Sequence, residues 1–144
     1  MKKKVLFICT NNSARSQMAE GLLNTLHGDR YEAYSAGLEP TEVNPYAIKV
    51  MAEINIDISK QRSKSIEKFR RDSFDYVVTV CNHAKEVCPI FPGGKAFLHK
   101  GFTDPSEFKG AEGEILAKVR RIRDEIADWI HETFGAENEG GGIR

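Results

Sequence analysis

The amino-acid sequence predicts an α/β protein: a single-domain, three-layer doubly wound sheet of four parallel strands flanked by helices. Short apolar runs alternate along the chain with amphipathic helical patterns, and this alternation is typical of parallel sheets. The chain has 144 residues, close to the size of one domain. We therefore expect one domain at residues 1–135, followed by a flexible, polar and glycine-rich tail at residues 136–144.

The first half of the chain predicts the order strand, helix, strand, helix. Residues 5–8 form an unbroken apolar run, which suits a parallel strand covered on both faces. Apolar residues at four-residue spacing predict a helix over residues 18–26, and residues 31–35 predict the second strand. Asn44 and Pro45 suit the cap and the first position of a second helix.

The second half of the chain predicts two further strands and a long helix. Residues 76–80 are β-branched and aromatic, and residues 96–98 form a weaker apolar run. The apolar face of the last helix consists of Ile115, Val119, Ile122, Ile126, Trp129, Ile130 and Phe134. The charged residues that we expect to be solvated are Lys118, Arg120, Arg121, Arg123, Asp124 and Glu125.

Composition and charge argue against several classes of protein. The 21 Lys and Arg residues balance 21 Asp and Glu residues, so the chain lacks the basic surplus that binding to nucleic acid or anionic membranes needs. No stretch approaches the ~20 apolar residues of a membrane span. The number of cysteines is odd, which argues against a disulfide scaffold and for a reducing compartment. We expect a cytoplasmic monomer without nucleic-acid or membrane partners, whose thiols serve chemistry.

Four loops of the predicted sheet carry residues suited to chemistry. In a doubly wound sheet, ligands bind beyond the carboxyl ends of the strands. Cys9 follows the first strand, residues 35–37 follow the second, Cys81 follows the third, and Asp104 lies in the loop after the fourth. All four loops are therefore predicted to open on the same edge of the sheet.

The loop that begins at Cys9 predicts an anion site with a nucleophile. It joins a buried strand to a helix, so its backbone N–H groups can converge on an anion at the helix N-terminus. We expect the helix end and Arg15 to lower the pKa of the Cys9 thiol and the guanidinium to hold two oxygens of a tetrahedral oxyanion. The alternative is a buried structural cysteine beside a surface arginine. The residues expected to bind the anion are Thr10, Asn11, Asn12, Ser13, Ala14, Arg15 and Ser16.

The other two cysteines, Cys81 and Cys88, are seven positions apart and predict a switch segment. If the segment is helical, they lie on one face but ~10 Å apart along the axis, beyond the ~7 Å Cα separation that a disulfide allows. They can pair only if the segment unwinds, and we expect Cys81 to face the anion site first. Two inert thiols are one alternative. A zinc site with His83 and the distant His99 is another, but its spacing fits no common zinc pattern, so we expect no metal.

These motifs carry a resemblance to a known superfamily. Residues 5–21, in which five residues separate Cys9 from the pair Arg15 and Ser16, resemble the active-site signature of the low-molecular-weight tyrosine phosphatases. The match continues at residues 34–37, 44–45, 56–59 and 104–105. Residues 77–89 are similar to the redox segment of thioredoxin-coupled arsenate reductases, which share that fold and the first half of the mechanism. The two further cysteines favour the reductases over the phosphatases.

The resemblance implies a three-cysteine relay that reduces arsenate to arsenite. Cys9 attacks arsenic and Asp104 protonates the leaving oxygen. The disulfides Cys9–Cys81 and Cys81–Cys88 then form in turn, and a thioredoxin-type reductant reduces the second one. Phosphate is the expected competitor of arsenate, and no bound cofactor is required because the thiols supply the electrons. The remaining alternatives are a low-molecular-weight tyrosine phosphatase and a non-catalytic oxyanion or redox sensor.

Three positions depart from the pattern of the arsenate reductases. Asn11 and Ala14 stand where many members have glycine and cysteine, which leaves the nucleophile and the arginine in place. Lys64 aligns with an aspartate through which some members bind potassium. An ammonium group there repels a cation, so we expect Lys64 to occupy the site as a tethered charge near Glu20.

Overall fold

The computed structural model of the chain describes residues 2–82, 84 and 93–135. The strands are β1 (Lys3–Cys9), β2 (Tyr31–Gly37), β3 (Phe74–Thr79) and β4 (Gly94–His99). The α-helices are α1 (Arg15–Leu26), α2 (Pro45–Ala52) and α3 (Glu112–Ile130). Short 3-10 turns at Ile66–Phe69 and Pro105–Glu107 and a π turn at His131–Gly135 complete the regular structure of these residues. The predictions for Cys88, for His83 and for the tail at 136–144 fall outside the described residues.

The four strands form one parallel sheet in the order β2-β1-β3-β4, which confirms the predicted architecture. Strand β1 is central, and its residues Val5 to Ile8 have no exposed surface, as the unbroken apolar run predicts. Register pairs Cys9 with Gly37 at the end of β2, and Thr79 pairs with His99. The carboxyl ends of all four strands therefore meet at one edge, where the loops that carry the predicted site residues begin.

Helix α2 begins as its sequence predicts. The Asn44 side chain accepts hydrogen bonds from the backbone N–H groups of Tyr46 at 2.7 Å and Ala47 at 3.2 Å, and Pro45 follows it at the first helical position. A side-chain acceptor here replaces the intrahelical partner that the first turn lacks. This cap fixes the point at which the chain leaves the loop after β2.

Helix α3 buries its apolar face as predicted, but one of its charged residues was placed wrongly. Arg123 is buried rather than solvated, because α3 packs against α2 and the guanidinium lies between the two helices. It donates hydrogen bonds to the Val50 carbonyl oxygen at 2.8 Å and to Glu53 Oε1 at 3.0 Å. Arg120 also donates to Glu53 at 2.8 Å, and the two arginines, Arg120 foremost, lower the pKa of Glu53 to about 2.

Within the described ranges, every helix is too short or too polar to cross a membrane.

Candidate active site

A cavity of about 110 Å³ lies at the carboxyl edge of the sheet, beyond β1. Cys9 lines it and has only 2% of its surface exposed. Helix α1 begins beside it, with no side chain capping its first turn and no acidic residue there. The positive end of α1 therefore stays open to an anion. The residues that line the cavity are Cys9, Asn11, Ser13, Ala14, Arg15, Thr41, Asn44, Asp104 and Ser106.

Arg15 supplies the positive charge in the cavity wall, and 7% of its surface is exposed. Its NH1 group donates to the Phe102 carbonyl oxygen at 3.1 Å, and its NH2 group lies 3.5 Å from Asp104 Oδ2. Its Nε group is buried and has no hydrogen-bond partner among the residues that the structure describes. Buried donors are almost always paired, so this one is available for an oxygen of a bound anion.

Asn12 and Ser16 hold the loop in shape and do not line the cavity. Asn12 is fully buried with a positive φ of 51°, and its Nδ2 donates to Ser16 Oγ at 2.7 Å. Its Oδ1 accepts from Gln17 Nε2 at 2.9 Å and from the Lys64 backbone N–H at 2.8 Å, and Ser63 Oγ donates to its carbonyl oxygen at 2.7 Å. Gln17 also donates to the Arg62 carbonyl oxygen at 2.8 Å. Gln17 and Ser63 have supporting roles that the sequence did not indicate, because these roles join parts of the chain that are far apart in sequence.

The loop after β2 supports the other side of the cavity. Its backbone N–H groups donate to carbonyl oxygens of the Cys9 loop, at 2.8 Å from Glu39 to Thr10 and at 2.9 Å from Asn44 to Ser13. Thr41 and Asn44 thereby reach the cavity. The sequence marked Asn44 only as a helix cap and gave no signal for Thr41. Gly37 ends β2 at this contact, where a Cβ atom would lie 2.8 Å from the Asn12 nitrogen.

Cys81 lies next to Cys9, as predicted. Its sulfur is 3.3 Å from Thr10 Oγ1 and accepts a hydrogen bond from the Ala84 backbone N–H at 3.4 Å. The two thiols are reduced and hydrogen-bonded to each other, and Cys81 is 3% exposed. Cys9 lines the cavity, and Cys81 lies behind it against Cys9 and Thr10.

The contact between the two thiols shifts their pKa values in opposite directions. The hydrogen bond from Cys9, together with those from Thr10 and Ala84, lowers the pKa of Cys81 to about 5. The same bond to Cys81 and then burial raise the pKa of Cys9 above its ordinary value, although the Arg15 charge lowers it. The sequence predicted a lowered pKa at Cys9, and without an anion the structure shows the opposite balance. A pattern in the Cys9 loop alone does not reveal that a second thiol lies against it.

Asp104 lines the same cavity, at the position that the sequence predicts for it. Its Oδ1 accepts from the Ser106 backbone N–H at 3.0 Å, which caps the turn that begins at Pro105. The other carboxylate oxygen faces Arg15. This arrangement brings Ser106 into the cavity wall as well, a residue for which the sequence gave no signal.

Lys64 lies where the sequence places it, beside Glu20. Its Nζ is 3.8 Å from Glu20 Oε1 and donates to the Arg62 carbonyl oxygen at 2.6 Å. Ser35 Oγ donates to the same carboxylate at 2.5 Å. Burial raises the pKa of Glu20 and lowers the pKa of Lys64. The Lys64 side chain thus pairs with Glu20, while its backbone N–H supports Asn12.

Comparison with known proteins identifies the family. The profile of the low molecular weight phosphotyrosine protein phosphatases matches residues 4–104. The chain is similar to an arsenate reductase of Halalkalibacterium halodurans, with 50% identity over 133 residues that cover 92% of this chain and 95% of the relative.

Solved structures agree with this match. An arsenate reductase in the phosphate binding state has a TM-score of 0.73 and 37% identity, with 92% of this chain and 98% of that chain covered. The thioredoxin-dependent arsenate reductase of Corynebacterium glutamicum has a TM-score of 0.59 and 30% identity, with 92% of this chain and 63% of that chain covered. The family match spans most of the domain and includes the loop from Cys9 to Ser16. The chain therefore belongs to the low-molecular-weight phosphotyrosine protein phosphatase family.

Proposed function

We propose that this protein reduces arsenate to arsenite with its own thiols. One observation carries the proposal: a second thiol, Cys81, lies in hydrogen-bonding contact with the nucleophile Cys9 at the base of an anion cavity. A phosphatase needs only the first of these thiols. The arsenate reductases among the relatives support the same assignment.

The first step joins Cys9 to arsenic. Arsenate binds to the backbone N–H groups of the Cys9 loop and to Arg15, whose charge then favours the thiolate of Cys9. A proton moves from Cys9 to Cys81. The Cys9 sulfur attacks arsenic, an As–O bond breaks, and Asp104 protonates the departing hydroxide so that it leaves as water.

The second step transfers two electrons. Cys81 passes its proton to an oxygen of the arsenic adduct, and the resulting thiolate attacks the Cys9 sulfur. The bond between Cys9 and arsenic breaks with its electron pair remaining on arsenic. Arsenic(V) becomes arsenic(III), which leaves as arsenite with that proton, and the two thiols are oxidised to the Cys9–Cys81 disulfide. Cys88 then attacks Cys81, which releases Cys9 and gives the Cys81–Cys88 disulfide. A thioredoxin-type reductant restores both thiols, as the name of the Corynebacterium glutamicum relative supports.

The cavity wall favours a free oxyanion over an aryl phosphate ester. Its lining side chains are small and polar apart from the arginine, and no aromatic ring is among those that the structure describes there. An aryl group gains most of its binding energy from apolar or aromatic contacts. Phosphate, with the same charge and shape as arsenate, is the expected competitor. Some hydrolysis of aryl phosphates remains compatible with the proposal because both reactions begin with attack by Cys9.

The test is mass spectrometry of the intact protein after arsenate treatment without reductant. We expect one arsenite released per chain and the loss of two hydrogens, mapped to Cys81 and Cys88. In Cys88→Ser the same oxidation stops at the Cys9–Cys81 disulfide, whereas hydrolysis of an aryl phosphate continues. Three free thiols after arsenate exposure would contradict the proposal. Multiple turnover with thioredoxin separates an enzyme from a sensor that only binds the anion.

A further inference from the structure

We propose that His99 is a positioning residue that holds Cys81 against the anion site through Asn82. The role of His99 in the relay rests on the proposed function. The effect of His99 on the Cys81 thiol does not depend on that function.

His99 connects two neighbouring parts of the chain through its two ring nitrogens. It is the last residue of the edge strand β4 and pairs in register with Thr79 on β3. Its Nδ1 atom lies 2.8 Å from Thr79 Oγ1, and its Nε2 atom lies 3.0 Å from Asn82 Oδ1. An amide oxygen only accepts, so Nε2 carries the proton and donates to Asn82, while Nδ1 accepts from the threonine hydroxyl.

Asn82 follows Cys81 directly, so its position limits where the Cys81 sulfur can lie. The Asn82 side chain also lies close to Gly101, where an added Cβ atom would be 2.7 Å from Asn82 Oδ1. The backbone around Cys81 is anchored as well, since Phe102 N–H donates to the Val80 carbonyl oxygen at 3.1 Å. The imidazole of His99 is the one side chain in the described residues that hydrogen-bonds to the Asn82 side chain.

The hydrogen bond between His99 and Asn82 matters for the contacts that the Cys81 sulfur makes. Cys81 keeps its contacts with Thr10 Oγ1 and the Ala84 N–H only while the backbone at Cys81 and Ala84 stays in place. These bonds stabilise the thiolate, which is the form that attacks Cys9. Loss of the His99 anchor therefore weakens the Cys81 thiolate and moves its sulfur away from Cys9, without touching any residue that lines the anion cavity.

Two substitutions of His99 distinguish the loss of its hydrogen bond to Asn82 from a general loss of packing. Glutamine places its amide nitrogen three bonds from Cβ, as histidine places Nε2, so His99→Gln keeps the donor to Asn82. Asparagine places its nitrogen two bonds from Cβ, as histidine places Nδ1, so His99→Asn reaches Thr79 but not Asn82. Asn82→Ala removes the acceptor at an exposed residue and tests the same contact if His99→Asn does not fold.

The experiment measures the pH dependence of Cys81 alkylation by iodoacetamide in full-length Cys88→Ser protein, with Cys9 and Cys81 peptides quantified separately. The midpoint of the Cys81 profile reports the thiolate and is not affected by access. We expect His99→Asn and Asn82→Ala to weaken Cys81 proton dissociation about threefold to tenfold, the effect of one hydrogen bond, and the double variant to add nothing further. His99→Gln stays close to the parent.

An unchanged midpoint in both His99→Asn and Asn82→Ala overturns the inference, as does an equal loss in His99→Gln and His99→Asn. Addition of arsenate to the same proteins gives the link to the relay: Cys9–Cys81 disulfide formation slows in His99→Asn by a similar factor, while aryl phosphate hydrolysis does not. If the Cys88→Ser parent forms no disulfide with arsenate, the proposed function fails, and the alkylation profiles still decide the role of His99.

Discussion

At the scale of single residues, the ionisation of Cys81 depends on its neighbour Cys9. The hydrogen bond from Cys9 is the main cause of the Cys81 pKa of about 5, so Cys81 is a thiolate above that pH and a thiol below it. We predict that Cys9→Ala raises this pKa toward the ordinary thiol value. Absorbance at 240 nm as a function of pH measures the thiolate, and at pH 6 the variant should have lost most of the signal.

The Cys88→Ser substitution, made in the parent and in the Cys9→Ala variant, removes the third thiol from this titration. Cys81→Ala is the matched control: it leaves Cys9 without its thiol partner, and the remaining thiolate signal then belongs to Cys9 alone. A Cys81 midpoint that is the same with and without Cys9 would contradict this dependence of Cys81 on Cys9.

Lys64 gives a second prediction at this scale. Its ammonium group lies 3.8 Å from Glu20 Oε1, so a cation that approached this carboxylate would meet a positive charge. We predict that arsenate turnover is equal in potassium and in sodium at fixed ionic strength, because a tethered positive charge repels a second one. Clear activation by potassium over sodium would contradict this. Lys64→Asp is the informative variant, since it removes the ammonium and adds a carboxylate at the same position.

At the scale of elements, the end of β2 is pressed against the Cys9 loop. A Cβ atom at Gly37 would lie 2.8 Å from the Asn12 nitrogen, a backbone atom that cannot move without changing the loop. We predict that Gly37→Ala lowers arsenate turnover about tenfold to a hundredfold, in line with the strain of overpacking. Gly113→Ala is the control, because nothing lies within 4 Å of a Cβ there. It should leave turnover unchanged and raise stability slightly through helix propensity.

The packing of α3 on α2 gives a prediction of stability. Arg123 is 7% exposed and donates to both Val50 and Glu53, so its removal takes a donor away from the buried Val50 carbonyl oxygen. We predict that Arg123→Ala lowers the free energy of unfolding by about 1–3 kcal/mol. Arg120→Ala removes an exposed partner of the same carboxylate and should change it by about 0–1 kcal/mol. Urea denaturation of both variants measures the difference, and equal effects would contradict the importance of burial.

At the scale of the whole molecule, the sequence predicts those structural features that depend on a few consecutive residues. The apolar run at residues 5–8, the cap at Asn44 and the spacing from Cys9 to Arg15 each lie within a few consecutive residues, and the structure confirms the sheet and the cavity that they predict. Thr41 and Ser106 reach the cavity only through contacts between distant loops, and Arg123 is buried only because another helix covers it. No periodicity in the sequence encodes such contacts between distant residues. The contact between Cys9 and Cys81 is another example, because the two thiols lie in different loops.

The strand order β2-β1-β3-β4 places the residues of the site in two groups, one on each side of the sheet. On one side, β1, α1 and β2 position the Cys9 loop at the cavity, and the loop after β4 adds Asp104 and Ser106 to the cavity wall. On the other side, β3 and β4 deliver Cys81, Asn82 and His99. The boundary lies between β1 and β3, which pair with each other in the sheet. A change confined to the loop directly after β3 therefore alters the second thiol while the Cys9 loop and its contacts with the end of β2 stay as they are.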